Sequence, residues 1–387
     1  MILLTVVAVL VVAVVIAAPW RDVPPDLAVE DLPEELRSVS VDFGIVIDPG
    51  TDWAAIDARL DEAGVTAVDL NAGRVEFTAF DWPAHPDAAA ESGADHLARA
   101  SRALRESADG SARPVGLIVD AYVPAWIAEN PSLAGTSAEG VRSQYLPSAH
   151  QLARGEVGER LVQYVAALGE RYDPSQIAVT ELFLSGFHFG EEDLALFQEM
   201  TGAVDWPRDA DGTIAESDPA LGAWTSQVIA DLLARMRAAL DDVRDGAGAH
   251  IALAVDVRVN WTDPALGDPS SGQDYTVLLE AADRLVLWAY LYAQRPPAEI
   301  EEVTAALEDA GFDMSRFTVS VGLWSGRASA EDGGSEESIP AETLQEAVGL
   351  AATNGITSVN VSPLSLMTDE DWQALATVWG SRATPTS

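Results

Sequence analysis

Residues 158–202 read GERLVQYVAALGERYDPSQIAVTELFLSGFHFGEEDLALFQEMTG, and their order decides the fold. Leu161, Val165 and Leu168 fall on one face of a helix predicted over Glu159–Tyr172. Asp173, Pro174 and Ser175 turn the chain, and Ile177–Leu184 follows as an almost wholly apolar run. A strand that is apolar on both faces is covered on both, as in a parallel sheet. Glu181 is the one charge inside that run. A carboxylate there is costly unless it is paired, hydrogen-bonded or turned toward a polar cavity. It reads either as a structural acid held by an arginine or as a functional acid at the mouth of a parallel barrel.

The same strand-then-helix unit recurs on both sides of this stretch. Strands are predicted over Val41–Asp48, Val65–Asn71, Val115–Tyr122, Ile177–Leu184, His250–Asn260, Arg284–Tyr292, Phe317–Trp324 and Ile356–Ser362, each followed by a helix. Asp52 and Thr368 are the expected N-caps of the first and last of these helices. Eight such units in residues 39–380 predict an α/β fold, a (β/α)8 TIM barrel with long βα loops. An open doubly wound sheet is the rival. It lacks support, because the first strand runs into Ile47-Asp-Pro-Gly50 rather than a glycine-rich phosphate turn.

Outside the barrel, Ile2–Ala18 is an apolar run broken only by Thr5, just long enough to span a bilayer as a helix, or able to serve as a signal-peptide core. The expectation is an N-terminal hydrophobic helix (residues 1–18) acting as an anchor, with a cleaved signal as the alternative. The domain is then membrane-anchored and extracytoplasmic, or secreted. Residues 19–38, rich in proline and acid, are expected to form a linker, and residues 381–387 a disordered tail.

The chain has 387 residues, 62 Asp plus Glu against 22 Lys plus Arg, and a net charge of −40. That charge argues against nucleic acid and anionic lipid as partners. With no cysteine, disulfides, thiolate metal sites and cysteine nucleophiles are excluded. The histidines show no metal-ligand spacing, Asp209-Ala-Asp-Gly212 reads as a surface turn, and no cofactor motif is present, so neither metal nor cofactor is expected.

Barrels of this class carry their chemistry at the C-terminal ends of the strands. Those ends supply carboxylates (Asp48, Asp69, Asp120, Glu181, Asp256) and aromatics (Tyr122, Trp126, Trp261, Trp288, Tyr290, Tyr292, Trp324). Asn71, His188, Arg258 and Asn360 complete the candidate binding set. Two carboxylates can protonate a glycosidic oxygen and assist attack at the sugar carbon. Aromatic faces with a few polar groups suit a saccharide. The alternatives, residue by residue, are packing for the rings and strand-end capping or arginine pairing for the acids.

Three segments add a resemblance. Val119-Asp-Ala-Tyr-Val-Pro124, Arg171-Tyr-Asp-Pro-Ser-Gln-Ile-Ala-Val-Thr-Glu-Leu-Phe183 and Phe197-Gln-Glu-Met-Thr-Gly202 resemble the "hAWxNP", "rYDvDGIhfDDyfy" and "FxxxTG" runs of the glycoside-hydrolase-like barrels related in fold to family 10 glycosidases. Gly272–Tyr275, Ala282–Val286 and Trp288–Tyr290 are similar to that family's "GxDW", "iDyV" and "pqxY" runs. The resemblance implies a carbohydrate-active barrel. The departures are as informative. The Asp-Asp pair on strand four stands here as Thr180-Glu181, the strand-three histidine position holds Asp120, and the end of strand seven is Trp324-Ser325 with no carboxylate. A two-carboxylate mechanism therefore needs Glu181 as general acid/base and a second acid, Asp120 or Asp256. Without one, the expectation is a barrel that binds glycan or a partner protein without cleaving it. A small-molecule lyase or isomerase is a weaker reading, since Arg74 and Arg258 are the main basic residues near the strand ends.

Overall fold

The computed structural model describes residues 24–29, 33–243, 250–292, 294–326 and 337–380. The apolar run Ile2–Ala18, most of the acidic loop 327–338 and the tail 381–387 lie outside them. Among the described residues no helix is long and apolar enough to cross a membrane.

Eight parallel strands close a barrel: β1 (Leu36–Val41), β2 (Ala67–Arg74), β3 (Val115–Asp120), β4 (Gln176–Thr180), β5 (Ala252–Arg258), β6 (Arg284–Tyr290), β7 (Phe317–Gly322) and β8 (Ser358–Ser362). Closure is made by β1, which pairs with β8 on one side (Val39 opposite Val361) and with β2 on the other (Val39 opposite Val68). The helices that return the chain are α1 (Trp53–Glu62), α2 (His96–Leu104), α3 (Glu156–Tyr172), α4 (Pro219–Val243), α5 (Tyr275–Leu278), α6 (Ala298–Asp309), α7 (Ala341–Ala351) and α8 (Asp369–Trp379). Asp52 and Thr368 do cap α1 and α8, accepting from Ala55 N and Asp371 N.

The outward-facing strand residues, mostly Val and Leu, pack against the helices. The α3 stripe of Leu161, Val165, Leu168 and Tyr172 is wholly buried, and the Tyr164 hydroxyl donates to Ala72 O at 2.6 Å. Arg113, 1% exposed, ties the entry to β3 to α1 through Asp57 at 2.6 Å and Asp61.

Two boundary differences from the sequence reading bear on the site. The first strand is Leu36–Val41, not Val41–Asp48, and Phe43–Ile47 forms a short helix. A short apolar run fits a strand or a buried helical turn equally well by periodicity, and Asp42 ends the pairing. Part of the expected linker therefore belongs to the barrel. Leu27 is also buried, its N–H donating to Tyr172 O at 2.8 Å. Second, β4 ends at Thr180, so Glu181 stands just past the strand rather than inside it.

Candidate active site

At the C-terminal mouth of the barrel lies a cavity of about 860 Å³. The ends of three neighbouring strands bring Asp120 (β3), Glu181 (after β4) and Asp256 (β5) to its wall. The backbone at Glu181 is left-handed, with φ +57, and Ser185 (φ +42) and Gly186 (φ +78) repeat that geometry nearby. For a residue with a β-carbon this conformation costs about 1–2 kcal/mol. Such strain persists where surrounding structure demands it, and here it turns the chain off the strand at the acid itself.

Each acid has a different environment. Asp120 is ion-paired with Arg74 at 2.7 Å and accepts from Tyr122 N at 2.8 Å. Burial raises its pKa, and Arg74 opposes that rise. Glu181 is also raised by burial and by the nearby Asp120 charge, while the neighbouring Tyr122 hydroxyl works the other way. Asp256 faces the cavity but is surrounded by barrel wall, and burial pushes it up to about 7 despite the hydrogen bond from Trp288 and the nearby Thr180 hydroxyl. Trp288 Nε1 reaches Asp256 Oδ2 at 3.1 Å. Asp256 feels the Glu181 charge, and Glu181 feels Asp120, so the three form one repelling set beside Arg74 and Arg258. Three adjacent carboxylates resist ionising together, and the one with least solvent and no cation in contact keeps its proton longest.

An aromatic wall stands on the β6 and β7 side. Trp288 and Tyr290 lie nearly parallel, 5.6 Å between ring centres, and Trp324 meets Tyr290 at 5.0 Å. Gly322 makes room for this wall, since a Cβ there would sit 2.3 Å from the Tyr290 ring. Arg258 lies over the Phe183 ring at 3.9 Å and donates to Ser185 Oγ at 3.1 Å. Phe183 in turn meets Tyr122 and Trp288 edge-on.

No family model matches this chain, and no curated protein matches it. Solved structures do. The PgaB (BpsB) glycoside hydrolase domain from Bordetella bronchiseptica superposes with a TM-score of 0.66 at 17% identity, covering 90% of this chain and 99% of that one. The GH42 β-galactosidase from G. stearothermophilus gives 0.64 at 11% identity, over 90% of this chain and 56% of that one. The β-amylase catalytic domain from Paenibacillus polymyxa gives 0.59 at 11%, over 92% and 100%. The shared feature is the closed (β/α)8 TIM-barrel fold. At such identities the likeness is one of fold, and chemistry has to be argued from the residues.

In this TIM barrel, most of the predicted set converges. Asn71, Asp120, Glu181, Asp256, Arg258, Trp261, Trp288, Tyr290, Tyr292, Trp324 and Asn360 all line the cavity. Tyr122 reaches it through Glu181. Asn360 sits well below the mouth, donating to Ser38 Oγ at 2.8 Å and Asp69 Oδ2 at 3.3 Å. Three predicted residues stand elsewhere. Asp48 is exposed in a turn, accepting from Gly50 N at 2.8 Å, because the first strand ends seven residues earlier at Val41. Trp126 packs under the Arg160 guanidinium at 5.1 Å, and its backbone N–H donates to Glu76 Oε1 at 2.6 Å. His188 is buried against Phe189 and Trp224, and burial lowers its pKa to about 4. It belongs to the aromatic packing beneath the β4 loop. Sequence reading missed Gln176, Thr180, Ser320 and Glu337, which also line the cavity.

Proposed function

We propose that this chain is an extracytoplasmic glycosidase that cleaves a polysaccharide or oligosaccharide by carboxylate catalysis. The carrying observation is the carboxylate set at the mouth, in which burial raises the pKa of all three acids and one of them, Asp120, is ion-paired with Arg74, beside an aromatic wall. Asp120, whose ion pair with Arg74 opposes the rise that burial brings, is suited to act as nucleophile or as the base that activates water. Glu181, with its pKa raised by burial and set by Tyr122, is suited to protonate the leaving oxygen and later to take up a proton. Asp256, the most enclosed acid, carries a proton up to about pH 7 and spares the site a third charge. Stacking against Trp288, Tyr290 and Trp324 supplies affinity for sugar rings. The solved glycoside hydrolases that share the fold support this reading. The apolar run at residues 2–18 supports placement across or outside a membrane.

The test is turnover on a panel of neutral polysaccharides by Glu181→Gln. Loss of reducing-end release with retained binding supports catalysis, and wild-type turnover in that variant rejects it. Recovery of the full chain solely in the soluble cytoplasmic fraction rejects the placement.

A second reading is a barrel that binds glycan, or a partner protein, without cleaving it. The absence of a carboxylate on the β7 end, Gly322-Leu-Trp-Ser325, favours it. Saccharide binding that survives removal of Asp120, Glu181 and Asp256 together, with no hydrolysis by the wild type, selects this reading.

A further inference from the structure

Barrels of this class usually fill their interior with layers of bulky branched side chains. This interior is different. The inward positions of β1, β7 and β8 are Ser38 and Ser40, Thr318 and Ser320, and Ser358 and Asn360. As a result the cavity continues below the acids, and its lining reaches Gln176, the first residue of β4. From Gln176 to Thr180 the strand climbs roughly 13 Å, more than the width of one sugar ring.

The two sides of this chamber differ in character. On β3, β4, β5 and β6, Ile118, Ala178, Ala254 and Val286 pack into one small apolar wall. Facing it, Ser40 and Ser320 donate to Asn360 Oδ1 at 3.2 and 2.9 Å, and Asn71 lines the same space. At the floor, Asp69 accepts from Gln176 at 2.8 Å and Asn360 at 3.3 Å. Gly116 leaves the room that the Asp69 carboxylate occupies, since a Cβ there would lie 2.1 Å from Oδ1. One apolar wall, one hydroxyl and amide wall and a carboxylate floor match a pyranose, which has an apolar face and a polar edge.

We propose that this chamber is a blind subsite for the terminal ring of a neutral saccharide, so that the site acts on chain ends. The inference rests on the carbohydrate reading of the mouth. The sheet is closed by hydrogen-bonded strands on every side, so a polymer has no lateral way out of the chamber and only a terminus can enter. A uronate or other anionic ring is disfavoured, because among the described residues the cavity lining holds one cation, Arg258, and it stands at the mouth.

The experiment uses the full chain and four probes, D-glucose, D-galactose, D-mannose and N-acetyl-D-glucosamine, titrated with ligand-observed NMR. At least one is expected to bind. Ala178→Leu projects new carbons into the chamber and should weaken that sugar by at least about tenfold, while Glu181→Gln leaves it bound. The smaller Ala178→Val serves if the leucine variant does not fold, with an expected loss of at least about threefold. A digest of oligosaccharides of the same sugar should release mono- or disaccharide from the earliest time point. Binding unchanged in a folded Ala178 variant overturns the proposal, as does an early ladder of intermediate lengths. Hydrolysis of oligosaccharides with none of the four sugars bound removes the chamber and leaves the glycosidase reading standing. Plug-sensitive sugar binding without any hydrolysis does the reverse.

Discussion

The Tyr122 hydroxyl stands beside the Glu181 carboxylate, across the gap between the β3 and β4 ends, and lowers the pKa that burial raises. Tyr122 is itself fixed by its N–H on Asp120 and by Phe183 and Tyr145 against its ring, at 6.0 and 5.7 Å. The hydroxyl favours the ionised carboxylate and so restrains a pKa that burial raises. In Tyr122→Phe that restraint is gone. If Glu181 must be protonated to work as the acid, the alkaline limb of the pH–rate profile should move up by about 1 unit, as expected for the loss of one polar partner of a charged group. A limb that stays in place would separate Tyr122 from the acid's ionisation.

Arg74 and Asp120 form an ion pair with side chains 19% and 15% exposed. Removing the cation strands a half-dry carboxylate. Arg74→Met should cost about 3 kcal/mol in chemical denaturation, near the lower end for breaking a buried pair. It should also raise the Asp120 pKa, since Arg74 is the largest influence holding it down. The acid limb of the rate profile then shifts to higher pH. Equal stability in the two proteins would mean that the pair is solvated.

Glu181 carries two burdens, a left-handed backbone and a buried acid. Glycine adopts φ +57 without a steric penalty. Glu181→Gly should therefore be more stable than wild type by about 1 kcal/mol, and inactive. Calorimetry and a turnover assay on one preparation check both. A less stable glycine variant would show that the Glu181 side chain contributes more through Tyr122 than its backbone costs.

The barrel was legible in the sequence because eight apolar runs alternate with amphipathic helices, and a parallel sheet leaves few other ways to bury both. The site was legible through strand ends, which fold class alone makes meaningful. What failed was local. Phe43-Gly-Ile-Val-Ile47 has strand composition, yet it folds as a helical turn, and this carried Asp48 out of the site. Trp126 and His188 have the right residue types for a sugar site, but the loops that hold them pack inward on Arg160 and Trp224. One signal was present and unused. Ser38-Val-Ser40, Thr318-Val-Ser320 and Ser358-Val-Asn360-Val-Ser362 alternate small polar residues with valine. On strands covered by helices outside, that period of two marks a polar interior.

Gly322 stands where β7 passes the Tyr290 ring, and no side chain fits there. Gly322→Ala has to displace Tyr290 or bend β7. Overpacking of this kind costs typically about 1–3 kcal/mol. Tyr290 stacks with Trp288, which holds Asp256, so the variant should also weaken saccharide affinity without touching a catalytic group. Unchanged near-ultraviolet circular dichroism and unchanged affinity would show that the aromatic wall yields freely.

Asp256 makes stability depend on pH in a direction opposite to most surface acids. Its carboxyl is held up to about 7, against an ordinary 3.8. Between these values the unfolded chain has released the proton and the folded chain keeps it, so the folded state binds more protons. Stability from this group is fully present below about pH 4, falls by up to about 1.4 kcal/mol per unit as pH rises, and levels off above 7. The other acids of the chain bend the total profile, so the informative quantity is a difference. Asparagine at this position keeps an oxygen to accept from Trp288 Nε1 and has no proton to lose. The stability of Asp256→Asn minus that of wild type, from urea titrations at several pH values, should therefore grow from pH 4 to pH 7 and then stay constant. A difference that is flat across that range would mean that Asp256 ionises normally, and that Glu181 and Asp120 work beside a third full charge.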